Sequence, residues 1–167
     1  MAFYSNYRVR RLGLDGVFDK IFSPGDHDIP VGISIDEIRK YPASHYEFRY
    51  TSHGHTPKHS LKPDPKVLLG IVSELGVETA DCVYVGDSLH KDVAMARDAG
   101  VMDVYAEYGR VQHTDAYQLL REVTHWSDAD VEREKKISKR DVQPGVTLKD
   151  EFGELLQYVK FGIWNEI

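Results

Sequence analysis

The chain lacks the features that mark secreted, membrane-spanning or nucleic-acid-binding proteins. Its one cysteine, Cys82, excludes a disulfide framework. A net charge of -6 gives no basic footprint for nucleic acid. No apolar run approaches membrane-spanning length, and the N-terminus lacks the charged and then apolar layout of a secretory signal. We therefore expect a cytoplasmic protein without nucleic-acid or membrane partners.

The composition is that of a globular protein, and 167 residues suffice for one domain with a buried core. Apolar runs predict strands, and apolar residues at helical spacing predict helices. The predicted strands are 2–4, 17–22, 82–85, 101–106 and 146–148. The predicted helices are 35–40, 63–75, 93–99, 117–126 and 152–159, with a further helix compatible with the basic stretch that ends at Leu14. This alternation indicates an α/β protein whose mostly parallel sheet is covered on both faces.

Two stretches depart from the alternation. Residues 23–60 are irregular and rich in Pro, Gly, His and Tyr, so we expect a single domain over 1–167 with an irregular insertion at about 26–60. Residues 128–140 are dominated by charge and are interpreted as a solvated helix or a linker.

The most informative motif is the loop at residues 86–92, Gly-Asp-Ser-Leu-His-Lys-Asp. It follows a buried strand, at the end of the strand where α/β sheets place their ligands. Asp87 and Asp92 would repel each other in a cleft, and a hard divalent cation relieves that repulsion. The loop therefore predicts a Mg²⁺ site. The alternative is structural, with the two acids serving as a helix cap and a first-turn acid.

Three motifs in order resemble those of a known family. They are Ser5-Asn6 after an apolar run, Lys-Pro-Asp-Pro at 62–65 opening a helix, and the loop at 86–92. They are similar to the second, third and fourth motifs of the haloacid dehalogenase-like hydrolases, and the resemblance runs from about residue 2 to residue 159. It implies a Rossmann-like, three-layer α/β sandwich. It also implies a Mg²⁺-dependent phosphatase of small phosphate esters that works through an aspartyl-phosphate.

The resemblance implies a role for each motif residue. Ser5 would give its hydroxyl, and Asn6 a backbone or amide N–H, to the oxygens of a phosphoryl group. Lys62 would offset the charge on that group and on the nucleophile. Asp87 would hold Mg²⁺ directly, with Asp92 as a second ligand or an outer support. Each residue has a plainer alternative, since Ser5 can end a strand or cap a helix and Lys62 can be a solvated lysine.

The chain departs from the family at the first motif, an Asp-x-Asp followed by Gly and by Thr or Val. That motif should precede Ser5, yet only four residues do so. The resemblance therefore implies that the nucleophilic aspartate and the usual first central strand are missing. Three other stretches imitate parts of the motif, around Asp15, at residues 26–28 and at 128–130. Each lacks either the residues of the motif or the flanking strand that the motif needs. Because the nucleophile then has no replacement, we expect the chain alone to be inactive or to have very weak activity.

The missing strand leaves a gap with three solutions. The flanking strands pair directly, a segment of this chain or of a second copy fills the gap, which would give a homo-oligomer, or the natural protein is longer.

Two other functions remain open. The chain is a non-catalytic regulatory or interaction module that keeps a phosphate and Mg²⁺ pocket, or it is a metal-binding module built on His53, His55 and His59 with His45 upstream. No cysteine joins these histidines and their spacing matches no zinc module, so solvent-facing histidines are favoured.

Overall fold

The computed structural model describes residues 2–110 and 127–162, which leaves the predicted helix at 117–126 outside the described residues. The chain divides into two compact units, Met1–Leu61 and Lys62–Ile167. Each unit contains helices and a parallel sheet, so the predicted α/β class is confirmed. The single domain expected over 1–167 stays a prediction. No helix in the described parts of the chain is both long and apolar enough to cross a membrane.

The first unit contains two helices and a two-stranded sheet, and its elements are α1 (Ala2–Arg11), β1 (Lys20–Pro24), α2 (Ile35–Ile38) and β2 (Ser52–Thr56). The strands run parallel, with Phe22 opposite Gly54. A Cβ at Gly54 would lie 2.5 Å from the Phe22 ring, so only glycine lets the ring cross the sheet there.

Two predictions for the first unit are wrong. Residues 2–4 begin helix α1 and are not a strand, so Ser5 and Asn6 lie within a helix. An apolar run this short does not distinguish a helix from a strand, and tertiary contacts decide. The Phe3 ring packs edge-on against Tyr46 at a centroid distance of 5.4 Å. The second error is β2, which lies in the stretch interpreted as irregular because Ser-His-Gly-His-Thr carries no apolar signal.

The second unit alternates helices and strands as predicted, and its elements are α3 (Pro65–Leu75), β3 (Val83–Gly86), α4 (Ala94–Asp98), β4 (Met102–Ala106), α5 (Asp128–Ile137) and β5 (Val146–Leu148). The three strands are parallel in the order β3-β4-β5. Within the described residues, β3 pairs with β4 and with no other strand. The final predicted helix is a 3₁₀ segment, Phe152–Gln157.

Helix α3 shows how local sequence sets an element. Asp64 caps its N-terminus by accepting a hydrogen bond from the Lys66 backbone N–H at 3.0 Å, and Pro65 occupies the first turn. Gly76 ends the helix in the left-handed conformation, with φ of 67°. The helix ends at residue 75, as predicted, and begins two residues after the predicted start at 63.

Side chains of β3 alternate between two buried clusters. Tyr84 packs with residues of α3 and α4, among them Leu68 and Met95. Val83 and Val85 point to the opposite face, where they pack against Leu148 and Leu155 in a cluster that also contains Val104, Val146 and Val159. This sheet is therefore covered on both faces, as predicted. Its strands end together at one edge, where the 86–92 loop begins.

Candidate functional site

The structure brings three predicted site residues together in the second unit. Lys62, Asp87 and Asp92 line one cavity of about 550 Å³ at the carboxyl ends of β3 and β4. Ser5 and Asn6 belong to the first unit, where the Asn6 side-chain amide donates to the Tyr46 carbonyl oxygen at 3.1 Å. The phosphate-binding roles of Ser5 and Asn6 stay a prediction.

Asp92 is the buried centre of the site, with 5% of its surface exposed. Its Oδ1 accepts hydrogen bonds from Lys62 Nζ at 2.6 Å and from the Tyr84 hydroxyl at 3.2 Å. Its Oδ2 accepts from the Ser88 backbone N–H at 3.2 Å. Three donors compensate the cost of burying this carboxylate. Asp92 does lie in the first turn of a helical segment, Leu89–Val93, as in the structural alternative, but Ser88 and not Asp87 is the cap of that segment, and the buried Asp92 carboxylate also binds Lys62.

Gly86 makes room for that carboxylate. A Cβ at Gly86 would lie 2.3 Å from Asp92 Cβ, closer than two carbon atoms can approach. The glycine of the loop is thus required by the fold of the site, since the chain must turn back over the end of β3 to bring Asp92 to Lys62.

The Lys62 ammonium is held in its charged form. Burial by itself would lower the pKa of Lys62, but hydrogen bonds with Asp92 and Tyr84 outweigh it, and the pKa lies above its ordinary value. Burial also raises the pKa of the Tyr84 hydroxyl. At neutral pH Lys62 therefore carries a positive charge and Tyr84 keeps the proton that it donates to Asp92.

The Asp87 side chain, unlike that of Asp92, is exposed to the cavity. The loop after β4 supports it: a Cβ at Gly109 would lie 3.2 Å from Asp87 Cβ. Within the described residues, the Asp87 carboxylate makes no hydrogen bond or ion pair. It is free to bind an external cation or donor.

The donor set limits which metal ion the site suits. In residues 2–110 and 127–162, no group of three or more His, Cys, Asp or Glu side chains is arranged to hold a metal ion. Asp87 offers one free carboxylate, whereas both oxygens of Asp92 already accept hydrogen bonds. One carboxylate completed by water and phosphate oxygens fits Mg²⁺, which keeps several waters, and does not fit zinc.

The histidines of the insertion do not gather into such a group either. His53 and His55 lie on β2 with ring centroids 4.7 Å apart, and His53 Nε2 lies 2.9 Å from the Ser23 hydroxyl. Burial lowers the pKa of His53, and the neighbouring His55 lowers it further. A His53 imidazole with a lowered pKa, within hydrogen-bond distance of the Ser23 hydroxyl, is consistent with a structural role.

The three stretches that imitate the first motif lie in different structural settings. Asp15 is used by the fold, since its carboxylate accepts from the backbone N–H groups of Arg49 at 2.9 Å, Tyr50 at 3.2 Å and Thr51 at 3.0 Å. Asp26 follows β1 by two residues, so a strand does lead into residues 26–28, contrary to expectation. Asp26 Oδ1 accepts from the Phe3 backbone N–H at 3.3 Å. Residues 128–130 open α5, so the charged stretch begins as a helix and not as a linker.

Sequence reasoning missed several residues of the cavity. Its lining also includes Ser88, His90, Lys91, Tyr105 and Arg110. Tyr84, whose hydroxyl donates to Asp92, was also missed. A tyrosine hydroxyl in a buried strand needs a hydrogen-bond partner, and that rule could have identified it. No local signal marks Arg110, which reaches the site only because the turn Glu107–Gly109 follows β4 at the same edge of the sheet.

Comparisons with known proteins agree with the motifs. Residues 34–100 match the family model "haloacid dehalogenase-like hydrolase". A phosphoglycolate phosphatase of Xylella fastidiosa is 37% identical over 83 residues, 50% of this chain and 34% of that protein. A glyceraldehyde 3-phosphate phosphatase of Methanopyrus kandleri is 41% identical over 51 residues, 30% of this chain and 22% of that protein.

A solved structure, a HAD phosphatase from Thermococcus onnurineus, covers 44% of this chain and 39% of its own at 27% identity and a TM-score of 0.33. The chain spans about a third of the length of the first curated relatives that it matches, 34% in each case. The matched stretch contains the Lys62 motif and the loop at 86–92, with Gly86 and Asp92 packed as described above. The predicted resemblance is therefore confirmed over residues 34–100, which are similar to the haloacid dehalogenase-like hydrolases.

Proposed function

We propose that this chain supplies the phosphate-binding and cation-binding pocket of a phosphatase that acts on small phosphate esters. The observation that carries the proposal is the cavity in which the charged Lys62, fixed by Asp92, faces the same space as the free carboxylate of Asp87. The relatives in Xylella fastidiosa and Methanopyrus kandleri, which are phosphatases of small phosphorylated compounds, support the same class of substrate.

In the proposed pocket, each residue has a separate task. Lys62 donates to the phosphoryl oxygens and offsets their charge. Asp92 and Tyr84 hold the ammonium in place, so that Asp92 acts as a support and not as a metal ligand. Asp87 holds Mg²⁺, which when bound neutralises phosphoryl oxygens.

We further propose that the 167 residues bind phosphate esters with little or no turnover. No Asp-x-Asp followed by Gly occurs in the sequence, and in this family that motif supplies the aspartate that attacks phosphorus. The same observation favours the second candidate function, a non-catalytic module that retains the pocket.

Titration with inorganic phosphate, with and without Mg²⁺, tests the pocket. We expect Lys62→Met to weaken phosphate binding about tenfold or more, the usual effect of losing one charge-assisted hydrogen bond. We expect Asp87→Asn to remove the enhancement by Mg²⁺. Lys66→Met is the matched control, because Lys66 is exposed on α3 and lies outside the cavity lining. Equal phosphate affinity in the Lys62 and Lys66 variants would contradict the proposed pocket.

A hydrolysis assay on an aryl phosphate separates binding from catalysis. The expected rate is that of the buffer with Mg²⁺ alone. Turnover that persists through repeated purification and disappears in Asp87→Ala would show that the chain is an active phosphatase and would exclude the non-catalytic module.

A further inference from the structure

Charged side chains around the cavity come from several elements. The described lining includes three basic side chains, Lys62, Lys91 and Arg110, and two acidic side chains, Asp87 and Asp92. Lys62 is engaged by Asp92. The positive charge that remains for a bound anion therefore depends on whether Lys91 is also paired with a carboxylate.

Helix α5 supplies the partner of Lys91. Glu134 Oε1 lies 2.9 Å from Lys91 Nζ, and the two side chains are 24% and 35% exposed, respectively. The preceding residue, Arg133, donates to the Lys62 carbonyl oxygen at 2.6 Å. Neighbouring residues of α5 thus contact two different cavity residues. The helix interpreted from its charge as solvated has, on this side, a specific place at the site.

The Glu134 carboxylate offsets the positive charge that Lys91 would otherwise present to the cavity. A phosphate monoester brings one phosphoryl group, whereas a diphosphate brings a second that needs a further cation.

From this arrangement, and resting on the proposed function, we infer that Glu134 selects ligands by their charge. By pairing with Lys91, it restricts the cavity to ligands with a single phosphoryl group and disfavours diphosphates. Because the pair is only partly exposed, water and salt screen it less than a surface pair. Without Glu134, the Lys91 ammonium has three donors for an additional anionic group.

Glu134→Gln tests the inference, since it removes the charge and keeps the shape. The matched control is Glu132→Gln on the same helix, because Glu132 pairs with Lys135 at 2.7 Å and its side chain is 71% exposed. Each protein is titrated with inorganic phosphate and with pyrophosphate at pH 8. Titrations are repeated at two salt concentrations.

We expect Glu134→Gln to raise the affinity for pyrophosphate about tenfold, the gain of one charge-assisted contact, and to raise that for phosphate by less than about threefold. The gain should shrink at high salt and vanish in the double variant Lys91→Met/Glu134→Gln. A mere loss of helix stability would not change the ratio of the two affinities. If the proteins bind phosphate and the ratio of pyrophosphate affinity to phosphate affinity is the same in Glu134→Gln and Glu132→Gln, the role of Glu134 is contradicted and the proposed function is not. If none of the proteins binds phosphate, the proposed function itself is contradicted.

Discussion

At the scale of single residues, the site depends on one close approach of the backbone. Gly86 ends β3 with no side chain, and Asp92 occupies the space in which a Cβ would stand. The Lys62–Asp92 pair follows from that approach, because the loop must turn sharply to bury the carboxylate. A glycine in a family motif thus has a steric explanation.

Gly86→Ala should therefore destabilise the second unit by about 2–4 kcal/mol, since the methyl group forces Asp92 from its position. The control is Gly70→Ala in α3, where nothing lies within 4 Å of the added Cβ and a gain of about 0.5–1 kcal/mol is expected from helix propensity. Urea unfolding of both variants measures the difference. An unchanged midpoint in Gly86→Ala would contradict the packing described.

Asp15 shows a second effect at the residue scale. Burial would raise its pKa, but the backbone N–H groups of Arg49, Thr51 and Tyr50 lower it and prevail, so the pKa lies below its ordinary value. A carboxylate with a lowered pKa contributes stability above the pKa of the unfolded chain, and that contribution is lost as the pH falls through the folded value.

We expect the amide NMR signals of Arg49, Tyr50 and Thr51 to stay constant from pH 7 to about pH 4 and to shift together below it, following the titration of Asp15. In Asp15→Asn this common titration should be absent. Shifts centred near pH 6 would point to a histidine and not to Asp15.

At the scale of elements, short segments are fixed by what they bury. Strand β5 has three residues, yet it completes the sheet because Leu148 is fully buried against Val104 and Leu155. Helix α5, by contrast, is placed by ionic and hydrogen-bonding contacts of Arg133 and Glu134. The apolar pattern predicted β5, while charge alone gave no position for α5.

Leu148→Ala should cost about 2–5 kcal/mol, the range for truncating a fully buried leucine. Leu156→Ala, in the 3₁₀ segment that follows, should cost less than about 0.5 kcal/mol because Leu156 is 69% exposed. Thermal and urea unfolding compare the two. Similar losses in both variants would show that β5 is not part of the core.

At the scale of the whole molecule, the two units differ in how their sheets are built. Sheet β1-β2 has two strands, each paired on one side within the described residues, whereas β4 lies between β3 and β5. Strand β4 also carries Val104, which has no exposed surface. Local stability follows burial and pairing.

Hydrogen exchange followed by NMR should therefore find the slowest amides in β4. We expect exchange in β1 and β2 to be faster by at least about tenfold, the difference that a paired and buried central strand confers. Equal protection in the two sheets would contradict this ranking.

Much of the second unit follows from local sequence, and the first unit shows where that reasoning fails. Asp64, Pro65 and Gly76 delimit α3 through capping and backbone preferences that act within a few residues. Residues 2–4 become helical through contacts with distant residues, such as that of Phe3 with Tyr46. Local sequence preference contains no information about such a distant contact.

The order of the described strands and helices from Lys62 onward, and the choice of Lys62, Asp87 and Asp92 as candidate site residues, followed from the sequence itself, because periodicity and turn chemistry act locally. Only the tertiary structure decided which groups engage Asp92, why Asp15 is a structural residue, and that Glu134 reaches Lys91. Those outcomes depend on contacts between residues far apart in the chain, whose energies exist only once the elements have packed.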